Sequence, residues 1–175
     1  MLLVVAYIFY LLAYSMYASF LWYLLDTPLC WSSENVGTYT ALSSIACALL
    51  TPLGMKFFVY IGADDIQICA VSHVCFALSS LWLAFARHKW QLYAGLLISS
   101  YADYPNALIL PIMAKWLDVH DRTNAFTLVA EINTIISSFG DSFFNWFYAN
   151  TVSEHRNMTL LIAAGFSSIS LISTV

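Results

Sequence analysis

Charge is what this sequence has least of. Six Lys/Arg and ten Asp/Glu stand among 175 residues, 9% of the chain, where a soluble domain carries about 25%. With 61% hydrophobic residues and a mean hydropathy of +0.77, that scarcity excludes a soluble globular domain. Strict in/out alternation is also missing from the apolar stretches, which excludes a membrane β-barrel built from strands of about ten residues. No Lys or Arg precedes the first apolar run, and the run is longer than the 7 to 15 residue core of a signal peptide, so it reads as a retained span. The four cysteines, Cys30, Cys47, Cys69 and Cys75, show no CxxC or Cys/His spacing, so no metal and no cofactor are expected. Three of them fall within apolar stretches. Only Cys30 is placed in a loop where a disulfide could form, and no partner for it is evident.

What the chain does have is long apolar windows with its few charges gathered between them. A bilayer core about 30 Å thick needs a helix of about 20 apolar residues. The windows predict an all-α membrane protein of six transmembrane helices with approximate spans 1–25, 35–58, 66–86, 90–114, 123–150 and 157–175. The connections are short, which makes neighbouring helices antiparallel. The positive-inside rule then gives a tie, with Lys56, Lys115 and Arg122 on one side and Arg87, Lys89 and Arg156 on the other. Asn157-Met158-Thr159 is an acceptor sequon, relevant only if its loop faces the lumen or exterior, and it sits where the membrane would hinder modification. The last window stops at Val175 without a polar flank, so a truncated chain is expected.

Polar groups inside a bilayer are costly, about 2.5 to 3.5 kcal/mol for an acid at a helix centre, and usually face a cavity or a partner. In the fifth span Asn124, Thr127, Glu131, Thr134, Ser138, Asp141 and Asn145 share one helical face. The neutral members either line a path or hydrogen-bond to another helix, whereas Glu131 and Asp141, with no cation in the span, point to a hydrated pathway. Glu131 could exchange a proton and couple its movement to transport. The fourth span holds Asp103, Pro105, Asn106 and Pro111, predicting a bent or broken helix beside a polar site, with scaffolding as the alternative. Tyr7, Tyr10, Tyr14 and Tyr17 share a face of the first span; Tyr10 and Tyr14 lie too deep for an interfacial belt and either pack or contact a flat organic substrate. Thr40, Ser44, Cys47 and Thr51 form a small-residue seam in the second span. His73 reads as a core hydrogen bond ahead of a proton relay.

The loop Thr27-Pro28-Leu29-Cys30-Trp31-Ser32, followed by Gly37, resembles the proton-coupled folate transporter family of the major facilitator superfamily. Gly54, Lys56, Gly62 and Asp64, then Pro111 and Lys115, Phe126, Asn133 and the Phe144-Asn145 pair extend the likeness over almost the whole chain. The resemblance implies the C-terminal six-helix half of a two-half transporter, with the N-terminal half absent. It implies a cytosolic N-terminus, an exterior loop at Pro28, Leu29, Cys30 and Trp31, and a substrate path lined by spans one, two, four and five. Ala13 and Leu110 stand where folate-transporting members look to have an intramembrane His and Arg, which argues against folate as the solute.

The expected function is therefore a secondary active transporter of small organic solutes by alternating access, proton-coupled through a residue such as Glu131, and not an enzyme. Candidate path residues are Glu131, Asp141, Thr134, Asn145, Asp103, Asn106, Tyr10 and Tyr14. Its partners would be the lipid bilayer, a small organic solute, protons, and the missing N-terminal half or a second chain, with no nucleic acid. Its location would be the plasma membrane or the endolysosomal membrane. Two alternatives stay open: a non-transporting membrane fragment or interaction subunit, and an intramembrane aspartyl protease-like enzyme pairing Asp103 with Asp141.

Overall fold

The computed structural model describes residues 2–26 and 29–174; of these, the side chains of Leu2 and Val119 are not described. Pro28, assigned above to the exterior loop, lies outside the described residues. Every regular element among them is helical: α1 (Leu2–Tyr14), α2 (Tyr17–Leu25), α3 (Ser33–Tyr60), α4 (Asp65–Ala84), α5 (Lys89–Ser99), α6 (Tyr104–Trp116), α7 (Val119–His155) and α8 (Met158–Thr174). Among the described residues three stretches are long and apolar enough to cross a membrane: Leu3–Leu25, Ser33–Tyr60 and Asp65–Ala84. Helix α8 is apolar but shorter. At 37 residues, α7 would run roughly 55 Å at about 1.5 Å per residue, well beyond a bilayer core.

The first expected span is not one continuous helix. Ser15 donates its hydroxyl to the Leu11 carbonyl at 3.0 Å, and Met16 N–H bonds back three residues to Ala13 at 3.2 Å. Hydroxyl back-bonding and a tightened turn bend helices, and Ser19 Oγ then covers the Met16 carbonyl at 3.0 Å. The corner is pressed onto α7 at Gly140, where an added Cβ would lie 2.5 Å from Ser15 Oγ and 2.6 Å from Ser15 Cβ.

The predicted break in the fourth span is present, between α5 and α6. Pro105 brings no N–H to the first turn of α6, and Tyr101 and Ala102 bond three residues back, to Ile98 and Ser99. Helix α3 satisfies the break from outside: Thr51 Oγ1 donates to the Ser100 carbonyl at 2.8 Å, and Tyr104 OH donates to the Thr51 carbonyl at 2.9 Å. Of the small-residue seam, Thr51 serves this role, whereas Thr40 and Ser44 spend their hydroxyls on their own helix.

The core runs between α1, α4, α7 and α8, with Tyr10, Phe76, Phe144 and Leu160 buried at its centre. A smaller cluster of Ile68, Cys69, Tyr104, Leu108 and Ile112 joins α4 to α6. Around His73 the buried polar groups are paired across helices, whereas the Ser72, Ser80 and Thr159 hydroxyls have no partner. Ser170 Oγ donates to the Ala6 carbonyl at 2.6 Å, which leaves its oxygen to accept from the His73 ring at 3.1 Å, and Ser167 Oγ donates to the His73 carbonyl at 2.8 Å. His73 is thus a buried cross-link between α4 and α8, 5.6 Å from the Tyr10 ring. Helix α3 is peripheral and presents Ile45, Leu49, Leu53 and Phe57 outward.

The loop before α3 is held by its aromatic residue. Trp31 is buried, stacked on Tyr93 at 5.9 Å and set edge-on to Tyr39 at 5.6 Å. Leu29 is buried beside it, while Cys30 is exposed in a left-handed backbone conformation (φ 45°). All four cysteines are free thiols. Ser32 caps α3 by accepting from Asn35 N–H at 3.3 Å, and Asp64 and Gln67 form a capping box on α4.

Candidate functional site

The break between α5 and α6 leaves Asp103 outside regular helix and sets Asn106 in the first turn of α6, both turned toward α1. Tyr10 OH donates to Asp103 Oδ1 at 3.1 Å. Asn106 Nδ2 donates to the same oxygen at 2.9 Å and to the Tyr10 hydroxyl oxygen at 3.3 Å. Tyr7 OH donates to Asn106 Oδ1 at 3.4 Å. Three residues singled out from the sequence, Tyr10, Asp103 and Asn106, thereby meet in one network, although more than ninety positions separate Tyr10 from the other two.

The tyrosine row continues beyond the network as a ladder of ring contacts. Centroids lie 6.3 Å apart from Tyr7 to Tyr10, 5.8 Å to Tyr14 and 5.1 Å to Tyr17. Tyr7 and Tyr10 are buried, while Tyr14 is 37% exposed. Tyr7, Tyr14 and Asn106 form one wall of a groove of about 360 Å³, whose other wall is the Phe126, Ala130, Asn133 and Ser137 row of α7. That volume lies within the range of about 300–1,000 Å³ of small-molecule pockets, and a mostly apolar lining with a few convergent polar groups is their usual chemistry. Ser137 Oγ donates to Asn133 Oδ1 at 3.1 Å, so the two groups present a joined polar edge.

The other α7 candidates sit elsewhere. Glu131, Thr134, Asp141 and Asn145 are exposed on α7 and do not line the groove. No hydrogen bond joins Asp141 to Asp103, whose Oδ1 is taken by Tyr10 and Asn106. Asn157 lies half-buried at the corner between α7 and α8. Asn133 and Ser137 line the groove without having been picked as path residues. Their signal was present: Phe126, Ala130, Asn133, Ser137 and Gly140 also recur at spacings of three and four, and a glycine in such a row marks close helix approach. Among the described residues no group of three or more His, Cys, Asp or Glu is arranged to hold a metal.

No family model matches the chain. Curated relatives do match it. The lysosomal proton-coupled steroid conjugate and bile acid symporter SLC46A3 of Homo sapiens is 26% identical over 154 residues, covering 88% of this chain and 33% of the relative. The chain is similar to solute carriers. The protein of the same name from Gallus gallus is 24% identical over 174 residues, 98% of this chain and 37% of the relative. That from Rattus norvegicus is 23% identical over 158 residues, 90% of this chain and 34% of the relative. The chain therefore spans about a third of the length of the curated relatives it matches. These relatives are named as symporters, which move solutes and are not enzymes.

Proposed function

We propose that this chain is the C-terminal six-helix half of a major-facilitator-type secondary transporter, with the groove between α1, α6 and α7 as part of its solute path. Its six spans would be α1 with α2, α3, α4, α5 with α6, α7 and α8. The observation that carries the reading is the Tyr10–Asp103–Asn106 network beside that groove. A broken helix next to a polar mid-span site is how transporters build solute and ion sites. The tyrosine ladder adds flat apolar surface with hydroxyl tips, which suits a rigid, partly polar organic solute. Steroid conjugates and bile acids, named for the relatives, have that character and are the proposed solutes. The endolysosomal membrane is the proposed location.

The exposed Glu131–Asp141 face of α7 supports the second element of the reading. Two carboxylates facing hydrocarbon would cost about 2.5 to 3.5 kcal/mol each, so this face is proposed to meet the transporter's other half or a hydrated passage between the halves. The relatives' greater length supplies room for such a half. Within this reading Glu131, Asp141, Thr134 and Asn145 border the passage, Asn106 and Tyr14 contact solute with Tyr10 and Asp103 hydrogen-bonded behind Asn106, and Glu131 and Asp103 are the candidate proton carriers.

The test is uptake of a labelled steroid conjugate and a labelled bile acid into vesicles holding the full-length gene product, at about pH 5.5 and 7.5 outside. Acid-stimulated, saturable uptake is expected, lost in Asp103→Asn and no longer pH-dependent in Glu131→Gln. Uptake no greater than into empty vesicles, from protein shown to be folded and inserted, would reject the transporter reading. Unchanged pH dependence in both variants would reject the two proton carriers while leaving transport intact.

A further inference from the structure

At the end of the bundle that carries the Leu29–Trp31 loop, Arg156 closes the turn between α7 and α8, and its guanidinium lies over the Tyr23 ring, 4.0 Å from the centroid. Tyr23 is fixed in turn, since its OH donates to the Leu83 carbonyl at 2.9 Å at the end of α4. The ring offers its face to the cation but no acceptor to the in-plane N–H groups. All three guanidinium nitrogens are shielded from water and, apart from the contact with Tyr23, none has a hydrogen-bond partner. Asp26, at the same end, accepts from Tyr148 OH at 3.3 Å. A guanidinium presents five donors in a fork that fits an oxyanion, and a charge left this bare is costly.

Arg156 borders a cleft of about 180 Å³ that it shares with Tyr23, Phe85, Arg87 and Asn157. Arg87 is exposed at the rim, so two arginines border one small space, with the Arg156 nitrogens turned to the protein wall. Phe85 also lines a second cavity, an apolar groove of about 340 Å³ running along Leu78, Leu81 and Trp82 of α4. A bi-cationic cleft opening beside an apolar furrow on the outside of the helices has the two chemistries of one amphiphile, an oxyanion head and a hydrocarbon tail.

We propose that this cleft is a binding site for an anionic phospholipid, with its phosphate held by Arg156 and Arg87 and one acyl chain lying along Leu78, Leu81 and Phe85. Arg87 meets the phosphate at the rim, and rotation of the Arg156 side chain turns a pair of its N–H groups from the protein wall to the phosphate oxygens. The site lies at the membrane–water boundary, at the opposite end from the Lys115–Asp65 pair, and is independent of the solute path.

Native mass spectrometry of the detergent-purified full-length protein tests it, using phosphatidylglycerol against phosphatidylcholine as probes. Retention of phosphatidylglycerol over phosphatidylcholine is expected, falling about tenfold in Arg156→Gln, as loss of a charge-assisted hydrogen bond implies. A smaller fall is expected in Arg87→Gln, which sits at the exposed rim and spares the fold, and no change in Lys56→Gln. Equal retention of the two lipids, or retention indifferent to both arginine variants, would overturn the site. Displacement of the lipid by millimolar inorganic phosphate or 4-nitrophenyl sulfate, with no preference for the lipid form, would overturn the lipid assignment and leave a soluble-anion site.

Discussion

Gly140→Ala tests the packing that positions the groove. The added methyl would stand 2.5 Å from Ser15 Oγ and 2.6 Å from Ser15 Cβ, against an ordinary contact of about 3.5 Å or more. The hydroxyl can rotate away, but Cβ is tied to the backbone, so α7 and the α1–α2 corner must part by about 1 Å. Overpacking of this kind costs about 1–3 kcal/mol, and the removal of a helical glycine returns about 0.5–1 kcal/mol. The clash wins, with an expected net loss of about 0.5–2 kcal/mol. Gly37→Ala is the matched control, because nothing lies within 4 Å of the methyl it would add; only the helical gain remains. Unfolding of the purified protein in mixed micelles of increasing dodecyl sulfate content, followed by tryptophan fluorescence, reads both. Ser15→Gly should restore Gly140→Ala with a coupling of at least about 0.5 kcal/mol. If Gly140→Ala is as stable as the parent, or if Ser15→Gly fails to rescue it, the close approach of α7 to the corner is wrong, and with it the shape of the groove.

Three further expectations follow from named contacts. Gly54→Ala would drive a methyl into the Tyr104 hydroxyl and to 2.5 Å from Tyr101 Cε1, displacing α3 from the break it caps; a loss of about 1–3 kcal/mol is expected by the same unfolding assay. Ser170→Ala leaves both the His73 ring donor and the Ala6 carbonyl without their partner in the buried seam, a loss of about 1–3 kcal/mol, whereas a neutral result would show that the seam admits water. Lys115→Ala breaks the Lys115–Asp65 ion pair, whose lysine side chain is 65% exposed. The change should be under about 1 kcal/mol and vanish in high salt; a larger, salt-insensitive loss would contradict a surface pair.

The break in the fourth span could be read in advance because proline acts locally: Pro105 lacks its N–H whatever packs around it. The bend in the first span could not. Nothing local forbids helix at Ser15 and Met16, and the corner exists because Ser15 back-bonds to Leu11 while Gly140, more than a hundred residues on, lets α7 come against it. His73 was expected as a core hydrogen bond, but its partners on α8 were supplied by packing.

Hydropathy and charge spacing by themselves determined that the chain is helical and apolar enough for a bilayer, because desolvation of backbone and charge is a sum over residues and needs no fold. They also determined that a polar row from Asn124 to Asn145 runs along α7, because helical periodicity is local, and a second row through Asn133, Ser137 and Gly140 was legible there but not singled out. Which row meets the rest of the bundle was decided only by tertiary structure. The Asn133–Ser137–Gly140 row is slimmer and admits α1, while the Glu131–Asp141 row, bulkier and charged, is left on the outside. The meeting of Tyr10 with Asp103 and Asn106, and of Arg156 with Tyr23, was likewise the work of packing. A hydrogen bond or a cation over a ring depends on where two distant segments come to rest, and no single segment carries that information.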